Sequence, residues 1–146
     1  DGAMARFIRD VMTKDPTTVD ASSTAHDAAG VMRREDVGAV LVTSGGTLQG
    51  ILTDRDIVLR CVAAEEDPLA VPVGDIMSRR CATVPPDADV REAARRMAAE
   101  QVRRLPVVED GRLVGILSLG DLARCGRYEM EVSQALTVIS DHVRRP

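Results

Sequence analysis

Aromatic residues are nearly missing from this chain: Phe7 and Tyr128 are the only two, and there is no tryptophan. Its core must therefore be built from Val, Ile, Leu, Met and Ala. The same shortage removes the stacking platforms on which single-stranded nucleic acids bind. With a net charge of −4 there is no overall basic footprint either, so nucleic acid is not an expected partner. Lys14 is the only lysine among 19 basic residues; the arginine fork suits phosphate, although coding bias gives the same excess. Cysteine is scarce, and Cys61, Cys81 and Cys125 are odd in number, widely spaced and without a CxxC pair. Histidine is limited to His26 and His142, so no metal site is expected and a reducing, cytoplasmic compartment is. No apolar run approaches the length of a membrane span and no signal peptide is visible, so membrane insertion is not expected. A P-loop and a dinucleotide-binding glycine fingerprint are also missing. The opening Asp1-Gly2-Ala3-Met4 looks like the remainder of an expression tag and is set aside.

What the chain does contain is itself, twice. Asp10 to Arg60 lies over Asp75 to Cys125 without a gap. Asp10, Met12, Thr18, Val19, Ala28, Ala29, Met32, Glu35, Val37, Val42, Gly46, Leu48, Gly50, Ile51, Leu52 and Asp56 recur unchanged at the partner positions. A long period present only twice indicates two copies of one supersecondary unit, not a solenoid. Each copy alone buries too little surface for comfortable stability, so the two are expected to pack face to face. Shared Gly, Thr and Asp residues go beyond what architecture needs, which points to two related binding sites.

Each copy reads as β-α-β-β-α. An amphipathic turn (Ile8, Val11, Met12; then Val73, Ile76, Met77) precedes a short extended piece, Thr18-Val19 or Thr83-Val84. Apolar residues then recur at helical spacing: Ala25, Ala28, Ala29 and Met32, and Val90, Ala93, Ala94 and Met97. Ser23 or Thr24 caps the first of these helices, and Asp87 or Asp89 the second. Gly45-Gly46 and Asp110-Gly111 sit between β-branched runs and predict hairpins. A second helix starts near Asp54 and Leu119. The expected boundaries are copy one at 7–63, an acidic, proline-containing linker at 64–72, copy two at 73–127, and a C-terminal helix at 128–146.

The sharpest shared feature is Gly50-Ile51-Leu52-Thr53-Asp54-Arg55-Asp56 against Gly115-Ile116-Leu117-Ser118-Leu119-Gly120-Asp121. A strand ends in a hydroxyl residue, a helix begins, and a carboxylate follows three residues on. Helix-start amides and a hydroxyl suit phosphate, and a carboxylate suits a ribose diol. The same spacing also describes a capping box that needs no ligand. The two readings are compatible, because a residue can cap the free helix and contact a ligand in the complex.

The ungapped repeat, the element order and the paired Gly-x-x-Thr/Ser-x-x-Asp motifs resemble the CBS domain, named after cystathionine β-synthase. Val102-Arg103-Arg104-Leu105-Pro106-Val107-Val108 matches another signature of that family, and Thr53-Asp54-Arg55-Asp56-Ile57 is common in its small stand-alone bacterial members. The resemblance runs from about Phe7 to Gly126 and describes one tandem pair, a Bateman module. It implies an α+β fold with two repeats related by a pseudo-two-fold axis, and an adenosyl ligand in the cleft between them. It further implies that Asp56 and Asp121 hold ribose hydroxyls, Thr53 and Ser118 lie near phosphates, and Thr18 and Thr83 sit beside base and sugar. Val37 and Val102 would form the apolar slot for adenine, and Arg103 and Arg104 would supply phosphate-binding charge. For that Arg pair, a solvated or inter-subunit salt-bridging role fits the sequence as well. The copies diverge here: Gly38 and Ala39 stand opposite Arg103 and Arg104, and Leu41 replaces the usual proline. The two sites are therefore expected to be unequal.

The resemblance points to a regulatory sensor of AMP, ADP, ATP, NAD, S-adenosylmethionine or a cyclic dinucleotide. No required cofactor and no catalytic residue is implied. The expected assembly is a homodimer that signals to a separate, unnamed effector protein. The rivals are a ligand-free homodimerisation module, in which the motif carboxylates only cap helices, and a slow nucleotide hydrolase.

Overall fold

The computed structural model of the chain describes residues 7–125 and 138–139. In chain order, a 3-10 turn, Ile8–Asp10, leads to strands β1, Thr13–Lys14, and β2, Thr18–Asp20. Helix α1, Ala25–Glu35, precedes strands β3, Ala39–Ser44, and β4, Thr47–Thr53. Helix α2, Asp54–Ile57, widens into a π-helical turn, Val58–Val62. The second copy supplies α3, Val73–Ile76, α4, Val90–Glu100, β5, Arg104–Glu109, β6, Arg112–Ser118, and α5, Leu119–Ala123. The mixed helix and strand content is that of an α+β fold with two repeats. Of the predicted C-terminal helix at 128–146, only Val138 and Ile139 lie within the described residues, and both are helical.

Two compact units form, and they are not the contiguous copies. One holds Thr17–Cys81 with Gly111–Leu113; the other holds the described residues up to Pro16, Ala82–Asp110 and the described residues from Val114 on. Each copy's leading turn thus packs in the unit built mainly from the other copy. Ile8 is fully buried in the second-copy core with Val90, Met97, Leu105, Leu117 and Leu122. Val73, Ile76 and Met77 are buried in the first-copy core with Val19, Ala28, Met32, Val42 and Leu52. Burying a side chain of that size contributes about 2 kcal/mol, so the exchange adds materially to two small cores.

In the first-copy unit, β2 runs parallel to β3, with Thr18 opposite Leu41, and β3 runs antiparallel to β4, with Ala39 opposite Thr53. The β3–β4 turn places Gly45 and Gly46 at φ of 58° and 85°, left-handed angles that glycine adopts without a Cβ penalty. Helix α1 is capped by Thr24, whose Oγ1 accepts from the Asp27 amide at 3.1 Å. The α1 face bearing Ala25, Ala28 and Met32 turns inward. The segment expected as a linker is tied down: the Ala25 amide donates to Val71 and the His26 amide to Pro68. In the second-copy unit, α4 is capped by Asp89 and buries Val90, Ala93, Ala94 and Met97. There the predicted extended piece Thr83-Val84 makes a single parallel bridge, Val84 to Val107.

The exchange explains the first glycine of each shared motif. Ile51 and Ser78 exchange backbone hydrogen bonds of 2.9 and 2.8 Å, and a Cβ on Gly50 would collide with the Ser78 carbonyl. In the other unit β1 pairs with β6, Lys14 opposite Gly115, and a Cβ on Gly115 would come within 2.9 Å of the Thr13 carbonyl. Both glycines admit the backbone of an exchanged segment.

Candidate functional site

The two motifs fold into the same local device. In the second copy, the Asp121 amide donates to Ser118 Oγ at 3.1 Å, and the Ser118 amide donates to Asp121 Oδ2 at 2.9 Å. In the first copy, the Asp56 amide donates to Thr53 Oγ1 and the Thr53 amide to Asp56 Oδ2, both at 3.0 Å. These are complete capping boxes, and each satisfies two otherwise orphaned amide donors. The box also aims the carboxylate: Oδ2 is fixed against the backbone, and Oδ1 takes no part in the box.

Beyond the box the copies differ. The Asp121 side chain is only 6% exposed, and its Oδ1 accepts from the Arg124 guanidinium. The Asp56 side chain is 15% exposed, and Arg60 Nε stands 4.0 Å from its Oδ1, too far for a hydrogen bond. Arg60 is held elsewhere, donating to the carbonyls of Ile76 at 3.3 Å and Met77 at 3.0 Å. The loop before β3 brings Gly38 against the helix start, where the Asp54 amide donates to the Gly38 carbonyl at 2.9 Å. A Cβ on Gly38 would lie 3.1 Å from Asp54 Oδ2, so the missing side chain leaves room for that acid. In the second copy the equivalent bond runs from the Leu119 amide to the Arg103 carbonyl at 3.0 Å. The arginine pair is thereby fastened next to Ser118, with both side chains exposed.

The CBS domain model matches residues 8–62 and again 73–127. The chain belongs to the CBS domain family. A CBS domain-containing protein of Bacillus subtilis, YhcV, is 41% identical over 133 residues, covering 91% of this chain and 94% of its own. Among solved structures, Hypoxic Response Protein I with two coordinated zinc ions is 38% identical at a TM-score of 0.72, covering 81% of this chain and 97% of its own. CBSX2 in complex with AMP is 27% identical at a TM-score of 0.71, covering 86% of this chain and 99% of its own. Among the described residues of this CBS pair, no group of three or more His, Cys, Asp or Glu side chains could hold a metal ion. No described helix is long and apolar enough to cross a membrane.

Of the residues singled out by sequence, the structure joins Thr53 to Asp56 and Ser118 to Asp121 in the boxes, and it ties Arg103 to the second box by its backbone. Thr18 is exposed on β2, at the sheet end where β4 delivers Thr53. Val37 and Val102 are half-buried just before β3 and β5, and Thr83 is half-buried beside Val84. Sequence reasoning passed over Asp54, Arg60 and Arg124 in these CBS copies. The signal for the arginines was their spacing, three or four residues after the motif carboxylate on a helical turn. Cys125, whose Sγ lies 3.6 Å from the Asp121 carbonyl, has its thiol pKa raised by burial and by the Asp121 charge, with Arg124 opposing.

Proposed function

We propose that this CBS pair is a regulatory module that binds an adenosyl compound at its Ser/Thr-to-Asp motifs and signals to a separate partner protein. The single observation that carries this reading is the repeated box, which fixes one carboxylate oxygen against the backbone and keeps the other outside the box, where a ligand or a counterion can meet it. In it Asp121 and Asp56 accept from the ribose, Ser118 and Thr53 lie near phosphate, and Thr18 and Thr83 flank base and sugar. Val37 and Val102 line the adenine slot, and Arg103 and Arg104 provide charge for phosphate. The AMP complex of CBSX2 supports the ligand class. The module acts in the cytoplasm, requires no cofactor and leaves its ligand intact.

The test is a melting-shift panel with AMP, ADP, ATP, NAD, S-adenosylmethionine and a cyclic dinucleotide, since a ligand of the folded state raises the melting temperature with its affinity. At least one adenosyl compound should stabilise the protein and be recovered chemically unchanged. Hydrolysed nucleotide in the recovered sample would favour the hydrolase rival. A second reading, dimerisation without ligand, is favoured by the capping boxes, which are complete without one, and by exposed Val58, Leu59 and Val62 on one turn. A homodimer is proposed under both readings. No shift with any of the six compounds, together with a dimer mass in light scattering, would select the second.

A further inference from the structure

We infer that Arg124 is a displaceable counterion that makes the second-copy motif select phosphorylated nucleosides over free ones. The inference rests on the adenosyl-binding reading. Asp121 Oδ2 accepts from the Ser118 amide, and Oδ1 is the oxygen outside the box to which a ribose diol would donate. That oxygen accepts from the Arg124 guanidinium, and the carboxylate beneath it is only 6% exposed. With so little of the carboxylate exposed, a ribose reaches it where the guanidinium moves aside, and a neutral hydroxyl does not fully replace the charge-assisted hydrogen bond.

What happens to the released guanidinium decides the selectivity. Its side chain is 73% exposed, and among the described residues its guanidinium hydrogen-bonds only Asp121. It crosses above Gly120, with Nη1 3.9 Å from the position of a Cβ there, so no bulky side chain stands in its way. With adenosine bound, the displaced cation returns to water and its ion pair is lost. With AMP bound, it exchanges a carboxylate partner for a phosphate partner, and fork-to-phosphate pairing offsets the loss. In the first copy the counterion is more distant, Arg60 Nε standing 4.0 Å from Asp56 Oδ1. Leu59 stands opposite Arg124 and Arg55 opposite Gly120, while Arg60 is held by the Ile76 and Met77 carbonyls.

The experiment is calorimetric titration of the full chain with adenosine and with AMP, for wild type, Arg124→Gln and Arg124→Lys, each checked for native circular dichroism. In R124Q the preference for AMP over adenosine should fall roughly tenfold, the value of one charge-assisted bond, while adenosine binds as well as before or better. R124K, which keeps a cation, should recover part of the preference. An unchanged preference in R124Q, or equal weakening of both ligands, overturns the role of Arg124 while leaving adenosyl binding standing. Wild-type protein that binds neither compound overturns this inference, while the adenosyl reading falls only if none of the six compounds of the melting panel stabilises the protein.

Discussion

The two motif regions share a backbone device and differ in charge. In the first copy, Asp54 joins Asp56 at the helix start, Gly38 and Ala39 stand at the entry to β3, and Arg60, 4.0 Å from Asp56, is held by backbone carbonyls. In the second, Leu119 replaces the extra acid, Arg103 and Arg104 stand at the matching loop, and Arg124 closes on Asp121. The shared part is what a strand-to-helix junction needs whatever it binds: a hydroxyl cap, a carboxylate three residues on, and a glycine where another backbone passes. The divergent part lies in side chains that the fold leaves free. The first motif region thus carries more acid at its helix start. The second carries more arginine.

The strongest way to break this comparison is through the exchanged turns. Ile8 and Val73 occupy matching sequence positions, are both fully buried, and serve opposite units. Ile8→Ala should destabilise the second-copy unit by about 2–5 kcal/mol, and Val73→Ala the first-copy unit by somewhat less. Hydrogen exchange resolved by peptide should show each loss in the other copy's strands. Loss confined to the mutated copy would contradict the exchange.

Next in size is the carboxylate pair. Asp121→Ala should weaken adenosyl binding by about 1.5–3 kcal/mol, and Asp56→Ala by less, because Asp56 is the more solvated of the two. Calorimetry that finds the two losses equal would remove the proposed asymmetry.

Smaller still is the effect of the exposed arginine pair. Replacing Arg103 and Arg104 by Gln should cost ATP up to about 1 kcal/mol per charge and adenosine almost nothing, with the ATP loss shrinking at high salt. Equal losses for both ligands would place the pair in structure or at a subunit interface.

The smallest effect separates the copies by pH. The Ser22 hydroxyl and amide donate to Asp20 Oδ1 and hold its carboxyl below the ordinary range. The unfolded chain binds that proton more readily, so the stabilisation is present above the usual carboxylate pKa and fades as pH falls through the depressed folded value. Asp20→Ala should therefore lower the melting temperature slightly near neutrality and not at all in strong acid. A melting difference that persists in strong acid would mean the turn is held by something other than charge. The matching position in the second copy is Pro85, which cannot form this turn, so no such pH dependence is expected there.

How much of this was legible beforehand follows from the range of each interaction. Helical spacing at Ala25, Ala28 and Met32, the left-handed Gly45-Gly46 and Asp110-Gly111 turns, and the Ser/Thr-to-Asp boxes are set by residues within one turn of each other. The sequence alone determined them, along with the twofold repeat and the family. The exchange of the leading turns, the packing of 64–72 onto α1, the purpose of Gly50 and Gly115, and the burial of Asp121 were decided only in the tertiary structure. Each depends on which distant backbone arrives at a given place. A periodic pattern states that a face is apolar, but two copies with the same pattern offer two similar cores. Only the closed chain selects which copy's turn fills which core.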